Sequence, residues 1–250
     1  FSEVTVPKSN VSSCCGARQS LRLTKQACVL PTAATAASTT AFMPLDDVAV
    51  VCTTDDPIDS LEYHKAIRES GFEVKVLPAY RPDKVVNIYK DTFLPYMAQV
   101  GVKTYSELKA WLMASIDRFH AAGCRLSDHG LDFVPFALGD AEAVFNKAMA
   151  GETVTRQEAE VYMTDLLLMF GRAFADRGWC MQVHVSTIRN NNTRMYKLLG
   201  ADTGYDSIAE TDVVGPLSKL MDSMEQTEQL PKMILYSLNP GDNAQLGTFL

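Results

Sequence analysis

Residues 181–200, MQVHVSTIRNNNTRMYKLLG, join an apolar run to a group of side chains able to do chemistry: His184, then Arg189, Asn190, Asn191, Asn192 and Arg194. An imidazole can exchange a proton near neutral pH or bind a metal through a ring nitrogen. Two guanidiniums and three amides beside it would be costly to bury without an anionic or polyhydroxylated partner. The plainer readings are a hydrogen-bonded structural histidine and, for the asparagines, a turn with left-handed backbone. Other polar groups recur at the same kind of place. Thr53-Thr54-Asp55-Asp56-Pro57, Tyr80-Arg81-Pro82-Asp83, Ser127-Asp128-His129 and Ser237-Leu238-Asn239-Pro240 each close an apolar run. Arg81, on extended chain ahead of Pro82, can grip a carboxylate through two nitrogens or form an ordinary salt bridge. Asp128 with His129 fits proton transfer, metal binding or a solvated loop. Asp56 suits a helix start, where an acidic residue and a following proline are favoured. His64 and His120 fall on helical stretches and read as structural.

The elements that must position these groups alternate. Apolar runs at Val48–Cys52, Val74–Ala79, Cys124–Ser127, Cys180–Val185 and Met233–Leu238 are separated by helical periodicity. Asp59 with Glu62 reads as a capping box for a helix closed by Gly71. Thr104 with Glu107 opens a second helix, whose stripe of Leu108, Trp111, Leu112, Ile116 and Phe119 stops at Gly123, and Thr155 with Glu158 opens a third, ending near Gly178. Met163, Met169, Met221 and Met224 look like core fillers on helices. Strands apolar on both faces and joined by helices predict a parallel α/β sheet. Neither G-x-G-x-x-G nor a phosphate-binding P-loop occurs, which disfavours an open nucleotide-binding sheet. A closed (β/α) barrel instead draws its active groups from the C-terminal ends of several strands, as the five polar termini here suggest.

Composition narrows the function. The chain has 250 residues, 47% of them hydrophobic, with a formal net charge of −7. An acidic chain without a basic patch argues against nucleic-acid or anionic-membrane partners. No run approaches the roughly 18 apolar residues of a membrane span and no signal-peptide pattern opens the chain, so a cytoplasmic enzyme is expected. The cysteines at 14, 15, 28, 52, 124 and 180 lack C-x-x-C spacing and are expected to be free thiols, those at 52, 124 and 180 in the core. Residues 1–41 stand apart. Ser, Thr, Ala and Cys make up 22 of the 41, and the segment carries +3 against −10 for the remainder. It is expected to be disordered, or foreign to a domain spanning 42–250.

Taken as a set, TTDDPIDSLEYH (53–64), VLPAYRPDK (76–84), GCRLSDHG (123–130), MQVHVSTIRNNNTRMYKLLGADTGYDSI (181–208) and LPKMILYSLNP (230–240) closely resemble uronate isomerase, also called glucuronate isomerase. That resemblance implies a (β/α)₈ TIM-type barrel of the amidohydrolase superfamily, here a partial barrel of about five parallel strands. It implies aldose–ketose isomerisation of a small sugar acid: D-glucuronate to D-fructuronate and D-galacturonate to D-tagaturonate. By resemblance, Arg81 takes the substrate carboxylate and His184 is both catalytic and the metal-side histidine. Arg189, Asp55 and His129 are further catalytic candidates; Arg194, Thr54 and Asn190 are further substrate-binding ones. A divalent metal, zinc by preference, is implied, and a homo-oligomer is allowed. The family pattern also calls for an H-x-H pair on the first barrel strand, a tryptophan-rich seventh strand and a metal-binding aspartate on the eighth. None is present, so the chain is expected to be a fragment carrying the second to sixth strands, with open sheet edges. Two rival readings are a metal-dependent hydrolase of the same superfamily and a sugar-acid-binding fragment without turnover.

Overall fold

A computed structural model of the protein describes residues 48–201 and 203–249; the expectation for residues 1–41 lies outside them. In chain order the elements are β1 (Val50–Cys52), α1 (Glu62–Glu69), β2 (Lys75–Leu77), α2 (Asp83–Val86), α3 (Phe93–Val100), α4 (Tyr105–Ala121), β3 (Leu126–Gly130), α5 (Ala141–Met149), α6 (Arg156–Asp176), β4 (Cys180–Val185), β5 (Thr187–Ile188), α7 (Thr193–Leu199), β6 (Ser207–Ile208), α8 (Val214–Glu225), β7 (Lys232–Ser237) and α9 (Asn243–Leu246). The five strands expected from the apolar runs are β1, β2, β3, β4 and β7; the short β5 and β6 were not foreseen. The chain divides into two compact units, one holding residues up to Arg81 with Ala114–Leu126, the other Pro82–Met113 with Ser127 onward.

In the first unit β1 and β2 pair in parallel, Val51 opposite Val76, and a further parallel bridge joins Asp55 to Tyr80. The Tyr80 N–H donates to the Leu126 carbonyl (3.2 Å). Tyr80 is fully buried; its hydroxyl shares a 2.8 Å hydrogen bond with Ser115 and its ring meets Phe119 edge-on at 5.0 Å. Burial of that phenol raises its pKa.

In the second unit the strand order is β3-β4-β7, and β4 pairs with β7 in parallel with His184 opposite Tyr236 and Val185 opposite Ser237. The 21-residue α6 supplies much of its core: Tyr162, Met163, Leu166, Leu167, Phe170 and Phe174 are buried. Phe93, Tyr105, Phe145 and Tyr162 form an aromatic cluster with centroids 5.5–6.4 Å apart. β5 and β6 make a small antiparallel pair, Thr187 opposite Ile208.

Both later capping boxes form. Thr104 Oγ1 accepts from the Glu107 N–H while Glu107 Oε2 accepts from the Thr104 N–H, and Thr155 and Glu158 do the same. The first does not. The residue before α1 is Leu61 in left-handed backbone (φ 59°), and Asp59 Oδ1 instead accepts the Leu61 N–H at 2.6 Å, a local turn that outcompetes the cap. The third strand also starts later than its apolar run. The Cys124 N–H still bonds the Phe119 carbonyl behind Gly123 (φ 102°), so the chain leaves the α4 terminus only at Leu126. Ser127, Asp128 and His129 therefore lie within β3 rather than beyond it.

The α4 stripe is buried as expected at Leu108, Leu112, Ile116 and Phe119, with Trp111 half-buried. Cys124 and Cys180 are buried free thiols and Cys52 is half-buried; burial pushes the Cys124 thiol up to about 12, far from a reactive thiolate. Met163 and Met224 are buried and Met169 and Met221 half-buried.

Candidate active site

His184 is the best-placed candidate. It is the fifth residue of β4, its Nε2 lies 2.8 Å from Asp128 Oδ1 on β3, and its ring stacks on Tyr236 of β7 at 4.5 Å and 7° between planes. Its side chain keeps 34% exposure while Asp128 keeps 11%. That distance is close enough for an ion pair when the imidazole carries its proton, and the ring's other nitrogen, Nδ1, points away from the carboxylate. Strand alternation explains the selection of Asp128: adjacent residues of β3 face opposite sides. His129 faces the other way, fully buried, with Nε2 3.0 Å from Ser127 Oγ and its ring 6.0 Å from Phe170 and Phe174 of α6. Tyr236 was not among the sequence candidates, and Asp128 was considered there only together with His129, not as the partner of His184. The signal for both was register, since Tyr236 stands opposite His184 only once β4 and β7 are paired.

The segment after β4 is largely occupied with its own geometry. Arg189 pairs with Asp206 (3.2 Å). Asn190 takes left-handed backbone (φ 52°) and its N–H donates to Asp206 Oδ1, so the turn reading holds at this position. Asn191 bonds Ser207, and Asn192 caps α7 by accepting the Met195 N–H at 3.1 Å. Arg194 is exposed on α7, a helix with no buried residue.

The first unit holds Thr54, Asp55 and Arg81. Asp55 sits in a cluster with two residues that the sequence reading did not nominate: Thr53 Oγ1 donates to Asp55 Oδ2 at 2.5 Å and lies 2.7 Å from His64 Nε2. His64 is buried against these groups, in keeping with a structural role. Burial raises the Asp55 pKa, opposed by the Thr53 hydrogen bond and the nearby His64. Thr54 itself is exposed. The Arg81 N–H donates to the Asp55 carbonyl at 2.9 Å, so the β1 and β2 exits run side by side. A cleft of about 390 Å³ in the second unit, lined by Asp132, Arg156, Glu160 and Asp212, includes none of the predicted site residues.

No group of three or more His, Cys, Asp or Glu side chains fit for a metal occurs among the described residues. His184 and Asp128 offer an imidazole nitrogen and a carboxylate, two donors where a catalytic zinc usually takes three from the protein. By themselves they do not make a divalent-cation site.

Parallel strands alternating with helices define an α/β protein, with a histidine–carboxylate pair on two adjoining strands. The sequence model of the glucuronate isomerase family matches residues 26–250, beginning inside the compositionally distinct first 41 residues. The chain belongs to the glucuronate isomerase family. It is 44% identical over 214 residues to uronate isomerase of Caldicellulosiruptor saccharolyticus, covering 82% of this chain and 46% of that protein. Uronate isomerase of Salmonella paratyphi B is 45% identical over 215 residues, with the same coverage. Among solved structures, uronate isomerase from Thermotoga maritima superposes with a TM-score of 0.78 at 27% identity, covering 84% of this chain and 48% of that one. Glucuronate isomerase from Caulobacter crescentus gives 0.72 at 29%, covering 84% and 46%. The chain spans about half the length of the curated relatives it matches.

Proposed function

We propose that this chain carries part of the (β/α)₈ barrel of a cytoplasmic hexuronate isomerase, interconverting D-glucuronate with D-fructuronate and D-galacturonate with D-tagaturonate. The observation that carries the reading is the His184–Asp128 pair on adjoining strands in a chain of this family. Isomerisation needs a base for the C2 proton of the opened aldose. His184, through the nitrogen turned from Asp128, takes that proton, and the electrons of the C2–H bond enter the C1–C2 bond as an enediolate charged at O1. The O2 proton passes to O1 and the carbon-bound proton returns to C1, leaving a ketone at C2. Asp128 steadies the imidazolium formed between these steps. Arg81 is assigned the substrate carboxylate on family resemblance, since its fork matches a carboxylate in two-point fashion. Asp55, Arg189, Arg194, Thr54 and Asn190 are assigned to the substrate by the same resemblance alone, whereas His129, packed on Phe170 and Phe174, is given no role in the chemistry. A divalent ion, zinc by the same resemblance, needs donors beyond His184 and Asp128. Family membership favours isomerisation over the hydrolysis of an ester or amide.

Incubating the full chain with D-glucuronate, with and without added zinc or manganese, tests the proposal. Formation of the ketose supports it. Binding without turnover in either condition moves the chain to a sugar-acid-binding role, and an absence of both overturns the assignment for this polypeptide.

A further inference from the structure

We propose that Asp242 is a positioning residue for His184, acting through the serines that end β4 and β7; the proposal rests on the reading of His184 as the proton-handling group. Ser186 follows β4, is fully buried, and holds left-handed backbone (φ 58°), a conformation in which a non-glycine residue is strained. Such a turn persists only where neighbours over-determine it. Here the Ser186 hydroxyl donates to Asp242 Oδ2 at 2.6 Å, and its carbonyl accepts the Ala209 N–H at 2.9 Å. Ser237, the last residue of β7, donates its hydroxyl to the same carboxylate oxygen, also at 2.6 Å, and Asn239 Nδ2 approaches Oδ1 at 3.4 Å.

The ordinary role for an aspartate at this position is a different one. Asp242 stands at the N-cap of α9, yet its side chain makes no cap bond there. One carboxylate thus clamps the exits of two paired strands, two residues beyond His184 on β4 and one beyond Tyr236 on β7. The clamp holds the register in which those two rings stack. It also sets the turn that sends Thr187 and Ile188 into their pairing with β6, which delivers Arg189 to Asp206.

The test is nuclear magnetic resonance of the His184 ring protons in the full chain, identified by their loss in His184→Gln. Stacked on Tyr236, they are expected to resonate upfield. Asp242→Ala is expected to abolish the upfield displacement, and adding Ser186→Gly is expected to restore it, because glycine takes positive φ without the Cβ penalty and no longer needs the clamp. If Asp242→Ala does not fold, Ser237→Ala, which removes the β7 donor and leaves the Ser186 bond in place, is expected to reduce the upfield displacement by itself. Unchanged His184 resonances in a folded clamp variant, or a loss in Asp242→Ala that Ser186→Gly does not restore, overturn the proposal. The readout needs no turnover. A chain that shows clamp-dependent resonances but neither binds nor isomerises hexuronates refutes the proposed function and leaves the positioning role standing.

Discussion

Replacing Asp128 by Asn keeps the shape of β3 but removes the negative charge 2.8 Å from His184 Nε2. If His184 takes the C2 proton, its imidazolium loses its counter-charge, and kcat/KM for D-glucuronate is expected to fall on the order of 100-fold. An unchanged value would take the pair out of the chemistry. Arg81→Lys exchanges a planar fork for a point charge, so hexuronate affinity measured by calorimetry should weaken by about 1.5–3 kcal/mol. At this scale the sequence was partly legible. His184 stood out because a histidine closed an apolar run. The choice between Asp128 and His129 did not, because it turns on strand register, and a slip of one residue exchanges the two faces. With β3 running from Leu126 to Gly130, the carboxylate meets His184 and the imidazole packs on Phe170 and Phe174.

The third helix-start motif illustrates what local sequence can specify. Thr155 and Glu158 close their capping box within four residues, and Glu158 also holds Lys147 at 2.7 Å, which lowers its carboxyl to about 2. Thr155→Ala should cost about 1 kcal/mol in urea unfolding. Since the folded pKa is depressed, the stabilisation from Glu158 is full above the ordinary carboxylate value and fades as pH falls through about 2. The stability gap between the natural chain and Glu158→Gln should therefore close in acid. Gly171 was invisible as a packing residue in the sequence. A Cβ there would collide with Met224 Sδ of α8, so Gly171→Ala is expected to destabilise by about 1–3 kcal/mol despite alanine's better helix propensity. In a double-mutant cycle, the cost of Gly171→Ala should shrink when Met224 is already alanine. An equal cost in both backgrounds would disprove the collision.

On the scale of the molecule, β7 is the outer strand of its sheet among the described residues, and Ile234 and Tyr236 on it, with Leu238 just past its end, are each about 40% exposed. An uncovered strand with apolar side chains invites pairing with another chain. Sedimentation should show concentration-dependent association, and Ile234→Lys should reduce it; equal association in both proteins would place the contact elsewhere. The succession of apolar runs and capped helices determined the α/β class, the five principal strands and the long buried stripes, because alternation, helical period and capping are properties of neighbours in sequence. The family was legible for the same reason, in strings such as RNNNTR and TTDDP. Which polar residues meet was decided only by the tertiary structure. Asp128 reaches His184 across 56 residues of chain, Asp242 reaches Ser186 across another 56, and His64 reaches Thr53 from the facing helix. Such pairs depend on strand register and on the strained turn at Ser186, and these follow from the packing of whole elements rather than from any local pattern.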